Sequence, residues 1–313
     1  MATWKILLTD GLDEGGKSIL RQVGEVADRS GISADDLLKE IGEYDALIVR
    51  GRTKVTLPVF EAGKKLKVVG RAGIGVDNID LKAAQTYGVT VVNSPLATTV
   101  SVAELTLASM LSMIREVPRA DASMKAGKWL KKEFEGVELF EKTLGVIGFG
   151  RIGTAVAKRC MAFGMSIIAF DPNVEPLEAR ETGAELVTLD DLLARADFIT
   201  LHLPLTPASK NMLDAAAFAK MKDGVRIVDA ARGGIVDEEA LLAALESGKV
   251  AAAALDVFTT EPPGLTPLVA HPHVIATPHI GAQTIEAQGR AGLDIASEVV
   301  AALKGDALRW KVA

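Results

Sequence analysis

Two series of short aliphatic runs, most of them four or five residues long and without polar alternation, recur along the 313-residue chain. The first comprises Lys5–Thr9, Ala46–Arg50, Lys67–Gly70 and Thr90–Asn93. The second begins at Leu144 and continues through Ser166–Phe170, Phe198–Leu201, Val225–Asp229, Ala252–Phe258 and Val274–Thr277. A strand with one wet face alternates, whereas a strand covered on both faces reads as an unbroken apolar run. Polar stretches with apolar positions at helical spacing, such as Asp35–Ile41, lie between the runs. The pattern predicts an α/β protein with two parallel sheets, and the length suits two domains.

Composition narrows the function classes. Lys and Arg number 35 against 41 Asp and Glu, a formal charge of −6, so there is no electrostatic footprint for nucleic acid or for an anionic membrane. The chain is 49% hydrophobic yet has no uninterrupted apolar run of membrane-spanning length, so it is expected to be globular, with no membrane segment. The start, with Lys5–Leu8 stopping at an acidic turn, reads as a first core strand and not as a signal peptide. One cysteine, Cys160, excludes an internal disulfide and a multi-cysteine metal site, reads as a small buried apolar residue, and points to a reducing, cytoplasmic setting. His271-Pro272-His273 has no companion ligands at metal spacing and reads as a solvated turn, so no metal is expected.

Between the two series lies Pro95–Gly136. Its centre, Val102–Ile114, is a helix candidate with a capping box at Ser101 and Glu104 and an end at Pro118. Its apolar residues occupy more than one face, which is compatible with a core helix or with a buried surface between subunits. Thr284–Leu303 reads as a long helix before a short tail, and nothing is left over for a third domain.

The most specific local signal is Gly148-Phe149-Gly150-Arg151-Ile152-Gly153, which follows the aliphatic run from Leu144 and opens a helix-compatible stretch. A dinucleotide site needs a tight turn at the first glycine, bare backbone at the second for the pyrophosphate, and close helix packing at the third. Asp171 ends the next strand about 20 residues on, where a carboxylate accepts hydrogen bonds from the adenosine ribose and repels a 2′-phosphate, favouring NAD. A second glycine loop, Gly70–Gly75, has the wrong spacing and acidic neighbours, and reads as a backbone-exposing loop beside a substrate.

Three later strand ends carry polar groups suited to hydride chemistry. His279 follows the last strand, Arg232 the strand Val225–Asp229, and Glu261 the strand Ala252–Phe258. Oxidation at a carbinol carbon needs a group for the hydroxyl proton, a role for His279; Glu261 beside it would favour imidazolium, and Arg232 could grip a substrate carboxylate. His202, at the end of Phe198–Leu201, is expected in the core or lining the cofactor cleft. Arg50, Arg52 and Lys54, with Arg71 after the next strand, form a basic cluster suited to a second anionic group.

In these motifs the chain resembles the D-isomer-specific 2-hydroxyacid dehydrogenases. The similar segments are Gly70–Asp80, Gly148–Gly153, Ala231–Glu238, Leu255–Phe258 with Glu261-Pro262, and Pro278–Ala282. The resemblance implies two Rossmann-like domains, with an NAD-binding domain at 97–282 inserted into a discontinuous flavodoxin-like substrate domain of 1–96 and 283–313. It implies a catalytic set of Arg232, Glu261 and His279. NAD contacts would come from Arg151, Ile152, Asp171, Ala230, Asp256 and Gly281, and substrate contacts from Arg50, Arg71, Ile74 and Gly75. It further implies a homodimer formed through Pro95–Gly136, and no serine feedback, since the regulatory extension of many members has no counterpart here. The activity implied is NAD-dependent turnover of a small anionic D-2-hydroxy acid, foremost 3-phosphoglycerate to 3-phosphohydroxypyruvate. Ala97-Thr98, in place of the usual Gly-Asn, and the extra cation Arg52 leave another dianionic acid such as sulfolactate open; a hydroxypyruvate, glyoxylate or lactate-type pair is a further alternative that the basic cluster around Arg50 disfavours, and the fold alone does not exclude an NAD-sensing corepressor-like binding protein.

Overall fold

The structure, a computed structural model, describes residues 3–313. It falls into two compact units, one running up to Thr98 and taking in Ala282–Ala313, the other Thr99–Gly281.

The first unit holds strands β1 (Trp4–Leu8), β2 (Gly24–Asp28), β3 (Ala46–Val49), β4 (Val68–Arg71) and β5 (Thr90–Asn93), all parallel, in the order β2-β1-β3-β4-β5. This is the flavodoxin-like order. Ala46–Val49 is buried throughout, as its unbroken apolar run predicts. β2 has no such run: Gly24-Glu25-Val26-Ala27-Asp28 is a half-exposed edge strand, and edge strands need neither continuous apolar residues nor a buried outer face. One face of the sheet packs Leu37, Val59, Phe60 and Ala84 from the intervening helices. On the other face lie Ala291, Ile295, Ala296, Val299 and Leu303 of the helix Ile285–Lys304, capped by the Thr284 side chain.

After that helix the chain turns back. The buried Glu298 carboxylate accepts the Nε–H and backbone N–H of Arg309 at 2.9 and 3.0 Å and the N–H of Trp310 at 3.1 Å. The following residues run antiparallel beside β5, with a bridge from Val92 to Lys311 and the Val312 N–H donating to Val91 O at 2.7 Å.

The second unit holds β6 (Thr143–Ile147), β7 (Ser166–Phe170), β8 (Glu185–Leu186), β9 (Phe198–Leu201), β10 (Val225–Asp229), β11 (Val250–Leu255) and β12 (Val274–Ala276). They form one parallel sheet in the order β12-β11-β10-β9-β6-β7-β8. Chain order reverses at β6, where doubly wound sheets open a crevice at their carboxyl edge. Two-residue β8 carries no pattern that a sequence reading could catch. Apolar residues cover both faces, with Leu192, Leu241 and Phe218 on one and Met110, Val156 and Cys160 on the other.

The helix candidate of the linking segment is real but its ends differ. It spans Thr99–Ile114, so Ser101 lies inside its first turn, not at a cap. Pro118 opens a further helix, Val117–Lys125, instead of closing the first, because proline is tolerated where the backbone N–H is unpaired anyway. Val102, Ala103, Thr106, Met110 and Met113 face the core. Leu111, Arg115, Val117, Ala120 and Met124 line an open groove of about 590 Å³. Burial pushes the Cys160 thiol up to about 12, which leaves it an inert apolar side chain. Among the described residues, no helix is long and apolar enough to cross a membrane.

Replacing Glu298 by alanine should cost about 2 kcal/mol, chiefly from the two backbone N–H groups left without their acceptor, since Arg309 itself is exposed. A lower urea midpoint for the Glu298→Ala protein would register the loss.

Candidate active site

The carboxyl edge of the seven-stranded sheet collects the polar residues in the order of its strands. His279 follows β12, Glu261 follows β11, Arg232 follows β10, His202 follows β9, the glycine turn follows β6 and Asp171 follows β7. Residues spread over more than a hundred positions of the chain are thus collected along one edge.

The glycine turn has the geometry its spacing predicts. Gly148 sits at φ +89°, and a Cβ there would lie 2.5 Å from His202 O; a Cβ on Gly153 would meet Gly148 O at 2.1 Å. A Cβ on Gly150 would face open space. The helix Arg151–Met161 starts on Gly150 without a side-chain cap, so its first-turn N–H groups are available to a phosphate. Arg151 is exposed at that helix start and Ile152 packs into the core beneath it. The Asp171 carboxylate accepts the Phe149 N–H at 2.9 Å and the Asn173 N–H at 2.9 Å, fixing it beside the turn with lone pairs to spare.

The His202 ring contacts Thr200 Oγ1 through Nε2 at 2.9 Å, while its buried Nδ1 has no partner among the described residues. Burial drives this imidazole down to about 3, so it is neutral and no general acid. An open second glycine, an uncapped helix start, a held carboxylate and an orphaned ring nitrogen together fit a dinucleotide.

At the other end of the edge, His279 Nδ1 lies 2.9 Å from Glu261 Oε2. The second Glu261 oxygen accepts the Phe258 N–H at 3.2 Å, so the carboxylate is oriented by its own loop. Both side chains are partly exposed, at 44% and 39%, and Nε2 is the ring nitrogen left for a substrate. His279 adopts φ +53°, a left-handed conformation that few residues other than glycine take up.

Its neighbours hold it there. Buried Asp256 accepts the Thr277 hydroxyl at 2.6 Å and the Ile280 N–H at 2.8 Å on one oxygen, and the Gly281 N–H at 2.8 Å on the other. Asp256 and Gly281, which the resemblance ties to the cofactor, thus bracket the His279 loop, and the Asp256 carboxylate takes these three hydrogen bonds from that loop.

Arg232 is carried on a loop that starts at half-buried Ala230. Its Nη1 donates to Ala231 O at 2.6 Å. A Cβ on Gly233 would stand 1.9 Å from Phe258 O, so this loop presses directly on the one leading to Glu261, and the Glu238 side chain accepts the Thr259 N–H at 2.6 Å across the same seam.

The basic cluster of the first unit divides. Arg52 departs from the expected substrate role: its guanidinium donates to Ile32 O at 3.0 Å and Thr9 O at 2.7 Å and pairs with buried Asp10 at 3.2 Å. It locks the loop after β3. Among the described residues no carboxylate pairs with the Arg50 guanidinium; Nη2 donates to the Gln283 side chain at 3.3 Å, while its backbone N–H is held by Asp10 at 2.8 Å. Partial burial lowers the Arg50 guanidinium from its ordinary value. Arg71 ends β4 and folds back over Gly73.

The loop at Ile74 and Gly75 is anchored by residues the motifs do not single out. Asn93 donates to Ile74 O at 2.7 Å and Ser94 Oγ accepts the Gly73 N–H at 3.0 Å. The motifs do not single out Asp10, Asn93 or Ser94; a short polar residue at or just past the end of an aliphatic run is the signal that finds them. Ala97 and Thr98 are buried, and Ala97 O accepts Arg290 Nε–H at 3.0 Å. His271 and His273 lie in a turn with rings 5.8 Å apart.

Residues 107–281 match the family model described as D-isomer specific 2-hydroxyacid dehydrogenase, NAD binding domain. The chain is 51% identical over 303 residues to D-3-phosphoglycerate dehydrogenase of Methanocaldococcus jannaschii, covering 96% of this chain and 58% of that one. It is 51% identical over 304 residues to the chloroplastic D-3-phosphoglycerate dehydrogenase 2 of Arabidopsis thaliana, covering 96% and 49%. It therefore spans about half the length of the curated relatives it matches. Among solved structures, a glyoxylate reductase from Paecilomyes thermophila superposes with TM-score 0.91 and 33% identity, covering 100% of this chain and 99% of that one. With the matched segment filling most of the seven-stranded unit, that unit is an NAD-binding domain, and the chain belongs to the D-isomer specific 2-hydroxyacid dehydrogenase family.

Proposed function

We propose that the chain oxidises 3-phosphoglycerate to 3-phosphohydroxypyruvate with NAD, the reaction that opens a route to serine. The observation that carries the chemistry is the His279–Glu261 pair at 2.9 Å, with Arg232 on the adjoining strand end of the same sheet edge as the glycine turn. Identity of 51% with proteins named for this reaction supports the substrate, as do Arg50 and Arg71 at strand ends of the first unit.

In the catalytic cycle Gly148, Gly150 and Gly153, with Arg151, Ile152, Asp171 and His202, would hold NAD, and Ala230 and Gly281 flank it. Once bound, NAD supplies the acceptor for the hydride that leaves C2 of the hydroxy acid. Arg232 grips the substrate carboxylate with its planar fork and polarises the reacting oxygen. His279 takes the hydroxyl proton at Nε2, and Glu261 at Nδ1 fixes the ring and stabilises the imidazolium that forms. In the reverse direction the same ring returns the proton. Arg50, Arg71 and the backbone at Ile74 and Gly75 meet the distal phosphate, so residues 1–98 with 282–313 act as the substrate domain. Buried Cys160 suits the reducing cytoplasm as its setting.

The groove of about 590 Å³ between the helices Thr99–Ile114 and Val117–Lys125, with Val117 and Met124 about half exposed beside it, supports a homodimer formed through this segment. Met124→Glu should then shift the protein toward monomer in light scattering.

His279→Ala should lower turnover by about 10² to 10⁴, some 3 to 5 kcal/mol of transition-state stabilisation, with NADH binding by fluorescence unchanged. The substrate is tested by NADH oxidation with 3-phosphohydroxypyruvate, sulfopyruvate, hydroxypyruvate, glyoxylate and pyruvate. The highest kcat/KM is expected for 3-phosphohydroxypyruvate; equal or better turnover of an unphosphorylated acid would overturn the substrate while leaving the proton chemistry to the His279 variant.

A further inference from the structure

In the five-stranded sheet β3 lies between β1 and β4, and each neighbour sends one polar residue to the loop that leaves it. Asp10 follows β1 and Asn78 lies on the segment after β4. Between them runs Arg50-Gly51-Arg52-Thr53, the first four residues past β3.

The loop is gripped from both sides. Asp10 Oδ2 accepts the backbone N–H of Arg50 at 2.8 Å and that of Thr53 at 3.0 Å. The other Asp10 oxygen accepts the Thr53 hydroxyl at 2.5 Å and meets the Arg52 guanidinium at 3.2 Å. From the opposite side the Asn78 side-chain amide donates to Arg50 O at 3.0 Å and to Thr53 O at 2.6 Å. The first and last residues of the loop therefore have both N–H groups taken by one side chain and both carbonyls by another. The two holders are themselves fixed. Only 4% of the Asp10 side chain is exposed, while Asn78 O accepts the Val55 N–H at 2.8 Å and Val55 O accepts the Asp80 N–H at 2.9 Å.

A surface loop ordinarily leaves its backbone groups to water, and Gly51 and Arg52 are exposed here. The side chain that such a hold aims is that of Arg50, whose guanidinium pairs with no carboxylate among the described residues and donates to Gln283 at 3.3 Å. A guanidinium fork recognises phosphate by geometry as well as by charge, so the backbone that carries it has to be fixed. Asn78 also lies on the segment of Ile74 and Gly75, which ties the two stretches assigned above to the substrate into one unit.

We propose that Asp10 and Asn78 are positioning residues for phosphate recognition: together they clamp the backbone from which Arg50 projects, and the preference for a phosphorylated acid depends on both. The proposal rests on the reading of Arg50 as a contact of the distal phosphate. Its test is kcat and KM for 3-phosphohydroxypyruvate and for hydroxypyruvate, with NADH, in the wild type, Asn78→Ala, Asp10→Ala, Asp10→Asn, Arg50→Ala and the double variant Arg50→Ala, Asn78→Ala. Asn78→Ala and Asp10→Ala should each lower the ratio of kcat/KM for the phosphorylated over the unphosphorylated acid by about tenfold, through KM, the scale of a lost hydrogen bond or two. Asp10→Asn keeps an oxygen for both N–H groups and gains an N–H for the Thr53 hydroxyl, so its ratio should stay within about threefold of wild type. Once Arg50 is gone there is nothing left to aim, and adding Asn78→Ala to Arg50→Ala should change the ratio by less than about twofold.

A fall shared equally by both acids, an Asp10→Asn protein as impaired as Asp10→Ala, or additive effects of Arg50→Ala and Asn78→Ala would overturn the proposal. An unchanged ratio in Arg50→Ala would remove the phosphate contact and the clamp's purpose with it. A ratio lost in Arg50→Ala but kept in Asn78→Ala and Asp10→Ala would sink the clamp alone.

Trypsin gives a reading that needs no turnover, because it cuts after arginine and cutting within a fold tracks local opening. Cleavage after Arg50 and Arg52, followed by mass spectrometry, should speed up about tenfold relative to cuts elsewhere in Asn78→Ala and Asp10→Ala, and should stay at the wild-type rate in Asp10→Asn. If no acid is turned over, the proposed reaction fails, and unchanged cutting in the two alanine variants would still refute the clamp.

Discussion

Hydrogen bonding between adjacent parallel strands is the constraint from which the candidate site follows. In a parallel sheet every strand ends on the same edge, so β12, β11 and β10 deliver the loops of His279, Glu261 and Arg232 side by side although β7, β8 and β9 come earlier in the chain. The register of β10 and β11 sets Asp229 opposite Leu255, one residue before Asp256, below those loops. Chemistry at this edge needs no flexible segment to bring its groups together. It needs strand ends held rigid, and both buried aspartates are part of that hold.

Holding has an energetic cost of its own. A histidine at φ +53° is strained by about 1 to 2 kcal/mol relative to an ordinary conformation, and it persists only where its neighbours over-determine it. The hydrogen bonds from Thr277, Ile280 and Gly281 to one buried carboxylate supply that hold on both sides of the ring. The gain is an imidazole already aligned with Glu261, so little ordering is left for the moment of reaction.

Much of this was legible in the sequence. Runs such as Ala46–Val49 and Phe198–Leu201 betray strands because both faces are buried, and Gly148 and Gly153 betray a turn because a Cβ at either would collide with backbone, while Gly150 between them leaves its face open. Residues whose work depends on distant partners were not legible. Arg52 carries the same charge as Arg50 two positions away, yet Asp10 and two carbonyl groups claim one and leave the other, which no spacing rule can tell. Ser101 fits a capping box, but the helix starts at Thr99, which puts Ser101 within its first turn. Asp10 looks like any strand-end aspartate until its hold on Arg50 and Thr53 is seen.

The antiparallel return of the last residues beside β5 bears on how the five-stranded sheet behaves among other chains. An open sheet ends in two rows of unpaired N–H and C=O groups, each a template for another strand. On the β5 side that row is occupied in part by Trp310, Val312 and Ala313. On the opposite side β2 presents Glu25 and Asp28, charges that a docking strand would have to bury. One edge is covered and the other is charged, so this sheet discourages the edge-to-edge pairing from which aggregates grow.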